Sequence, residues 1–233
     1  IKVKKFKKGN LISLKGEKNL YAFNYTVSSD PSSSAFLIAL TLLTPKSKLV
    51  IHNVLCNETR IFFIKILKKI NANIKLSNVR KVSGELVGSI TVSSSKLKPI
   101  IVSKNIGKLI DELPILFVIA ALTKGVSKFK NIGDLKNKES NRILESKKIF
   151  DQAGIKCKIT RDSMKIYGKK KIISKNKKIV IKTSGDHRIC MSSLIFALAS
   201  GIKTKIKNFE TVNTSFPNFI SIIKNQLGGK VDF

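Results

Sequence analysis

The nine residues Asp134-Leu-Lys-Asn-Lys-Glu-Ser-Asn-Arg142 gather three cations, Lys136, Lys138 and Arg142, around a central carboxylate, Glu139. The cations can hold anions while the carboxylate moves a proton. Neighbouring cations lower a carboxyl pKa, and desolvation on substrate closure raises it, so such a loop can tune Glu139 in either direction. Taken alone, the stretch reads equally well as a solvated charged loop capping a helix. Gly185-Asp-His-Arg188 sets a His and an Arg at a second expected helix start, where partial positive charge favours anions. Asp111 and Glu112 open an apolar run at a third. Only 14 Asp and Glu stand against 45 Lys and Arg, so acids in such places are the candidates for acid–base chemistry. His52 and His187, the only histidines, have no paired ligand spacing, so no metal site is expected.

The elements that must position these groups recur three times. Asp30-Pro-Ser-Ser-Ser-Ala-Phe-Leu leads to Lys48-Leu-Val-Ile-His-Asn-Val, Asp111-Glu-Leu-Pro-Ile-Leu to Ser127-Lys-Phe-Lys-Asn-Ile, and Asp186-His-Arg-Ile-Cys-Met to Thr204-Lys-Ile-Lys-Asn-Phe. Each copy reads as an Asp at a helix N-cap, an apolar helix, and a strand whose alternation ends at Asn53, Asn131 or Asn208. An amphipathic helix follows each time, over 60–70, 142–153 and 216–227. A short strand then closes the unit at Ile74-Lys-Leu, Ile155-Lys-Cys-Lys-Ile and Lys230-Val-Asp-Phe. Ile61, Ile64, Ile66 and Leu67 carry the helical spacing of the first amphipathic segment. The repeat is longer than solenoid periods, so the expectation is three copies of a compact α/β unit, with helix starts that converge on one anion-binding space.

The 233 residues suffice for one large domain or two small ones, and 42% hydrophobic content excludes a disordered chain despite a net charge of +31. No apolar run reaches membrane-spanning length. Cys56, Cys157 and Cys190 form no C-x-x-C pair, which points to a reducing compartment. A basic nucleic-acid-binding module is the rival reading from the charge, but the lysines are spread along the whole chain. Arginine occurs only at Arg60, Arg80, Arg142, Arg161 and Arg188.

Six segments together resemble the EPSP synthase (3-phosphoshikimate 1-carboxyvinyltransferase) family: Tyr25-Thr-Val-Ser-Ser-Asp-Pro-Ser-Ser-Ser-Ala, Asn57-Glu-Thr-Arg60, Ile110-Asp-Glu-Leu-Pro-Ile-Leu, Lys138-Glu-Ser-Asn-Arg142, Gly185-Asp-His-Arg188 and Thr214-Ser-Phe-Pro217. Each is weak alone. In register over the chain they are specific, and the pattern is most similar to the bacterial branch with D-E-x-P, K-E-S-D-R and G-D-H-R. Within the same fold, UDP-N-acetylglucosamine enolpyruvyl transferase is the alternative, but it does not carry the K-E-S-x-R and G-D-H-R pair.

The resemblance implies an α/β (α+β) fold of three βαβαββ units forming one enolpyruvyl-transferase domain, with terminal strands of a second. Residues 1–27 are expected to end that other domain, with Ile1, Val3, Leu20 and Ala22 alternating on its last strands. Residues 28–233 form the C-terminal domain, divided at about 28–105, 106–183 and 184–233. The chain is then a fragment, inactive alone. The implied activity transfers the enolpyruvyl group of phosphoenolpyruvate to the 5-hydroxyl of shikimate 3-phosphate. Asp111 and Glu139 are implied as catalytic, Asp111, Lys138 and Asp134 as binding shikimate 3-phosphate, and Arg142, Arg188 and His187 as binding phosphoenolpyruvate. No cofactor, nucleic acid or membrane is implied. The resemblance also implies a cytoplasmic enzyme, monomeric when complete. Asn141 and Lys136 stand where the family has an acid and an Arg, and Thr214 replaces a Lys used for phosphoenolpyruvate in one branch.

Overall fold

A computed structural model describes residues 2–16, 19, 21–170 and 178–232. A hairpin, β1 (Lys2–Phe6) and β2 (Gly9–Ser13), comes first. All of its residues are exposed, and none joins the buried core. Ala22 lies outside regular structure, and Ile1 and Leu20 fall outside the described residues.

The first unit is α1 (Pro31–Leu43), β3 (Lys48–Leu55), α2 (Phe62–Lys69), β4 (Asn73–Val82) and β5 (Glu85–Ser93). The second is β6 (Ile101–Val102), α3 (Leu113–Ala121), β7 (Gly125–Phe129), α4 (Arg142–Gln152), β8 (Cys157–Ile159) and β9 (Met164–Gly168). The third is β10 (Ile179–Lys182), α5 (His187–Ser200), β11 (Thr204–Lys207) and α6 (Phe219–Ser221), which runs on as π-helical turns to Gln226. β6 pairs in parallel with β7, β10 with β11, and a single parallel bridge joins Ser29 to Val54. The two larger sheets share one plan, β3-β5-β4 and β6-β7-β9-β8. These pairings tie β6 and β10 to the units that follow them, so the second and third units each start a strand earlier than divisions at 105/106 and 183/184.

α1, α3 and α5 pack on one another, with sheets and second helices outside. Every residue of α3 is buried, the state expected of a helix that is apolar all round. The second helices are one-sided: α2 buries Phe63, Ile64, Ile66 and Leu67, and Ile61 lies buried at its start. Asn53, Asn131 and Asn208 all adopt left-handed backbone, with φ of 55°, 60° and 58°. Asparagine tolerates that region better than other non-glycine residues. In the first unit the strand resumes after Asn53, because a bulge between Ile51 and Val54 absorbs the turn.

One expected element is absent. Residues 228–232 form no closing strand, and Phe233 falls outside the described residues. β4 and β8 are each held by a hairpin neighbour, β5 or β9, and residues 228–232 have no such partner among the described residues.

Gly168 marks the tightest packing of helix on sheet. A Cβ there would collide with the backbone oxygens of Ala120 and Thr123 at the end of α3. Overpacking against backbone typically costs 1–3 kcal/mol, so Gly168→Ala should lower stability by about 2 kcal/mol or more in urea unfolding. An unchanged midpoint would contradict the packing described.

Candidate active site

Three helix starts and one loop meet around a single guanidinium. Arg142, the first residue of α4, is 1% exposed. Its Nε donates to Asp186 Oδ2 at 2.8 Å, and its Nη2 donates to Glu139 Oε2 at 2.6 Å and to Asp186 Oδ1 at 3.4 Å. Its Nη1 lies 3.7 Å from Asp111 Oδ1, is buried, and has no hydrogen-bond partner among the described residues. A buried guanidinium nitrogen without an acceptor is costly unless a ligand completes it.

Asp186 makes this burial possible. It is 0% exposed and caps α5, accepting from the backbone N–H of Arg188 at 2.9 Å and of Ile189 at 3.3 Å. The Ser140 hydroxyl donates to its Oδ2 at 2.9 Å. Burial alone pushes this carboxyl up. The Arg142 hydrogen bond and charge, Ser140 and the Ile189 N–H outweigh it and hold Asp186 below the usual carboxylate range.

Asp111 is read from sequence as a helix cap, but it caps nothing. The chain winds early here, with Glu112 N and Leu113 N both donating to Leu109 O. Glu112 takes the position before α3 in right-handed helical geometry (φ −92°, ψ −9°), unlike the extended caps Asp30 and Asp186. The Asp111 carboxylate is thereby left to face two arginines. Arg188 Nη1 donates to the Asp111 carbonyl at 3.1 Å, and Arg188 Nη2 lies 3.7 Å from Asp111 Oδ2.

Asp111, Glu139, Arg142 and Arg188 are thus brought together, with His187 beside them at the start of α5. Burial lowers the His187 pKa, as do the Arg188 and Arg142 charges, against an upward pull from Asp186 and Glu139. The ring is therefore neutral near pH 7. Lys138 and Asp134 are exposed on the 130s loop, and their side chains make no hydrogen bond or ion pair among the described residues. The cation that holds Glu139 is Arg142, not its neighbour Lys138. Asn141 caps α4 by accepting from Leu144 N at 3.2 Å, a role open to Asn as to an acid. The Thr214 hydroxyl donates to Thr211 O, within its own turn.

Sequence reasoning left Ser140 and Ser32 out of the site, read Asp186 as a helix cap, and named Glu112 only as a candidate acid. The third copy of the helix-start Asp was the available signal for Asp186. The arrangement offers two half-exposed carboxylates, Asp111 and Glu139, on either side of two guanidinium groups. That is chemistry for holding an anion while protons move at two neighbouring positions.

Cutting the anchor should unfold the site. Asp186→Ala strips the buried Arg142 of its buried partner and leaves only the half-exposed Glu139 and Asp111 beside it. Breaking a buried pair typically costs about 3–5 kcal/mol, and urea unfolding should show a loss of that order. Because its folded pKa lies below the unfolded value near ~3.9, Asp186 stabilises fully above that value. The contribution is lost as pH falls through the folded pKa, and Asp186→Asn should remove that part of the acid slope. A loss under about 1 kcal/mol in the alanine variant would contradict the anchoring role.

The chain is similar to known proteins along most of its length. The family model for EPSP synthase (3-phosphoshikimate 1-carboxyvinyltransferase) matches residues 1–223. The chain is 37% identical over 222 residues to the 3-phosphoshikimate 1-carboxyvinyltransferase of Helicobacter pylori, covering 93% of this chain and 51% of that protein. It is 38% identical over 217 residues to the Campylobacter jejuni protein of the same name, covering 93% and 49%. The solved EPSP synthase of Acinetobacter baumannii superposes with a TM-score of 0.81 at 32% identity, over 96% of this chain and 51% of that one. The chain spans about half the length of the curated relatives it matches.

Proposed function

The chain belongs to the EPSP synthase family, and from that membership we propose that the whole protein transfers the enolpyruvyl group of phosphoenolpyruvate to the 5-hydroxyl of shikimate 3-phosphate, releasing phosphate. The observation that carries this reading is the buried Arg142, whose Nη1 has no acceptor and lies beside Asp111, with Glu139 on the neighbouring nitrogen.

The reaction needs two proton movements. C3 of phosphoenolpyruvate gains a proton so that C2 becomes electrophilic, and the attacking hydroxyl loses one. The tetrahedral intermediate then expels phosphate while the methyl carbon returns its proton. Asp111 is the acceptor at the hydroxyl. Glu139, half exposed on its loop, is the donor and later the acceptor at C3. Arg142 and Arg188 hold phosphoenolpyruvate, whose carboxylate and phosphate suit planar donor forks. The neutral His187 lines the same pocket. Lys138 and Asp134, unengaged in this chain, are the groups left to meet shikimate 3-phosphate. A closed state brings them in, because domain closure completes such sites and excludes water.

Residues 28–233 form the C-terminal domain in this reading, and residues 1–27 belong to another. The support is the exposure of Val3, Phe6, Leu11 and Ile12 on the β1–β2 hairpin, which leaves its apolar side chains unburied here. Closure of the two domains makes the active site, so the chain alone is inactive. The complete enzyme is a cytoplasmic monomer acting on two small anions rather than on nucleic acid.

Phosphate release with both substrates tests the assignment. Joined to the segment that its relatives carry ahead of it, the chain should turn over, and the chain alone should not. In the active form Glu139→Gln should cost about 10²–10⁴ in kcat while shikimate 3-phosphate still binds. Turnover within threefold of wild type would remove Glu139 from its role.

A further inference from the structure

Glu112 is a buried carboxyl, 4% exposed, in direct sequence with Asp111 and outside every role assigned so far. It accepts a 2.5 Å hydrogen bond from the hydroxyl of Ser32, 80 residues away on the first turn of α1 and itself 1% exposed. Ser32 is held in turn by Asp30, which accepts from its backbone N–H at 3.2 Å, and by Arg60 Nη2, at 3.3 Å from its hydroxyl. Arg60 completes the chain with a 2.9 Å ion pair to Asp30. A cavity of about 230 Å³ lies against these groups, lined by Ser32, Thr59, Arg60, Lys108, Asp111 and Glu112.

A carboxyl in this position is poor value for stability. Burial pushes Glu112 above the usual carboxylate range, as does the neighbouring charge of Asp111, and the Ser32 hydrogen bond and the Arg188 charge offset this only in part. Replacing such a buried ionisable group by an apolar one is commonly neutral or stabilising. What a carboxyl provides here and an apolar side chain does not is a fixed hydrogen bond between two helix starts. Its residue is the one that separates Asp111 from α3.

We propose that Glu112 is a positioning residue for Asp111, tying the start of α3 to the start of α1 through Ser32 so that the Asp111 carboxylate stays aimed at the space between Arg142 and Arg188. The peptide that carries Asp111 is then held from two sides. Arg188 grips its carbonyl oxygen at 3.1 Å, and Ser32 grips the side chain of the next residue. Without the second grip the α3 start turns about the first, and Asp111 loses its aim. The charged groups facing Glu112 are Asp111 and Arg188 beside it, Arg60 and Asp30 behind Ser32, and Lys108 across the cavity. Burial holds a proton on Glu112 more tightly than on a free carboxyl. Its proton contributes stability below the unfolded value near ~4.3, and that contribution is lost as pH rises through the higher folded value.

The inference rests on Asp111 as the proton acceptor of the proposed transferase, and the test is steady-state kinetics of the full-length protein. Glu112→Ala and Ser32→Ala should each lower kcat about tenfold or more, with the KM for phosphoenolpyruvate changed less than about threefold, because misaimed general acid–base groups act on the chemical step. Glu112→Gln keeps an acceptor for Ser32 and should recover kcat to within about threefold of wild type. A purely structural Glu112 would show lowered thermal midpoints with kcat unchanged in both alanine variants, and that result overturns the proposal. So does a glutamine variant as impaired as the alanine one. If Glu112→Ala does not fold, Ser32→Ala carries the same test. A wild-type protein that releases no phosphate would sink the transferase reading itself, whereas an active wild type with unaffected variants would sink only the positioning role.

Discussion

The bond between Arg142 and Asp186 determines what the rest of this site can be. Both groups are out of water, at 1% and 0% exposure, and neither is tolerable there alone. Asp186 is satisfied by an arginine fork, a serine hydroxyl and two backbone N–H groups at the start of α5. That leaves Arg142 with Nη2 for Glu139 and Nη1 for whatever anion arrives. A lysine cannot do this, because one ammonium has no planar fork with which to serve an anchor, a carboxylate and a ligand together. The choice of arginine is informative in a chain whose cations are otherwise nearly all lysine. Three of the five arginines, Arg60, Arg142 and Arg188, stand at helix starts and pair with an Asp there.

The threefold repeat supplies the geometry. α1, α3 and α5 bury one another, so their starts lie near one another, and each copy contributes a different use of its Asp. Asp30 is a cap with an arginine partner, Asp186 is a cap and a buried anchor, and Asp111 has lost the capping role and faces solvent and two guanidiniums. One structural motif caps a helix at two positions and at the third leaves its carboxylate facing two guanidinium groups. The +31 charge plays a background part, since the cluster itself sets three carboxylates against two arginines.

Much of this was legible in the residues, and the limits have physical causes. Continuous apolar runs mark α1, α3 and α5, and apolar periodicity marks the buried face of α2, because burial selects residue type position by position. The three asparagines that end each alternation share left-handed backbone, a local preference readable without tertiary knowledge. What depended on distant partners was not legible. Residues 230–232 of the expected closing strand have no neighbour to pair with among the described residues, and Asp111 lost its cap to early winding from Leu109. Asp186 reached Arg142 across 44 residues, and Ser32 reached Glu112 across 80, separations at which a single sequence carries no pairing signal.

The central claim is that Arg142, anchored by Asp186, presents its free nitrogen to one substrate and not to the other. Calorimetric titration of the full-length protein with phosphoenolpyruvate and with shikimate 3-phosphate, in wild type and in Arg142→Lys, tests it most directly. The account predicts phosphoenolpyruvate affinity weakened by about tenfold or more, of the order of one charge-assisted hydrogen bond, with shikimate 3-phosphate affinity within about threefold. Equal weakening of both ligands, or no weakening of either, would contradict it.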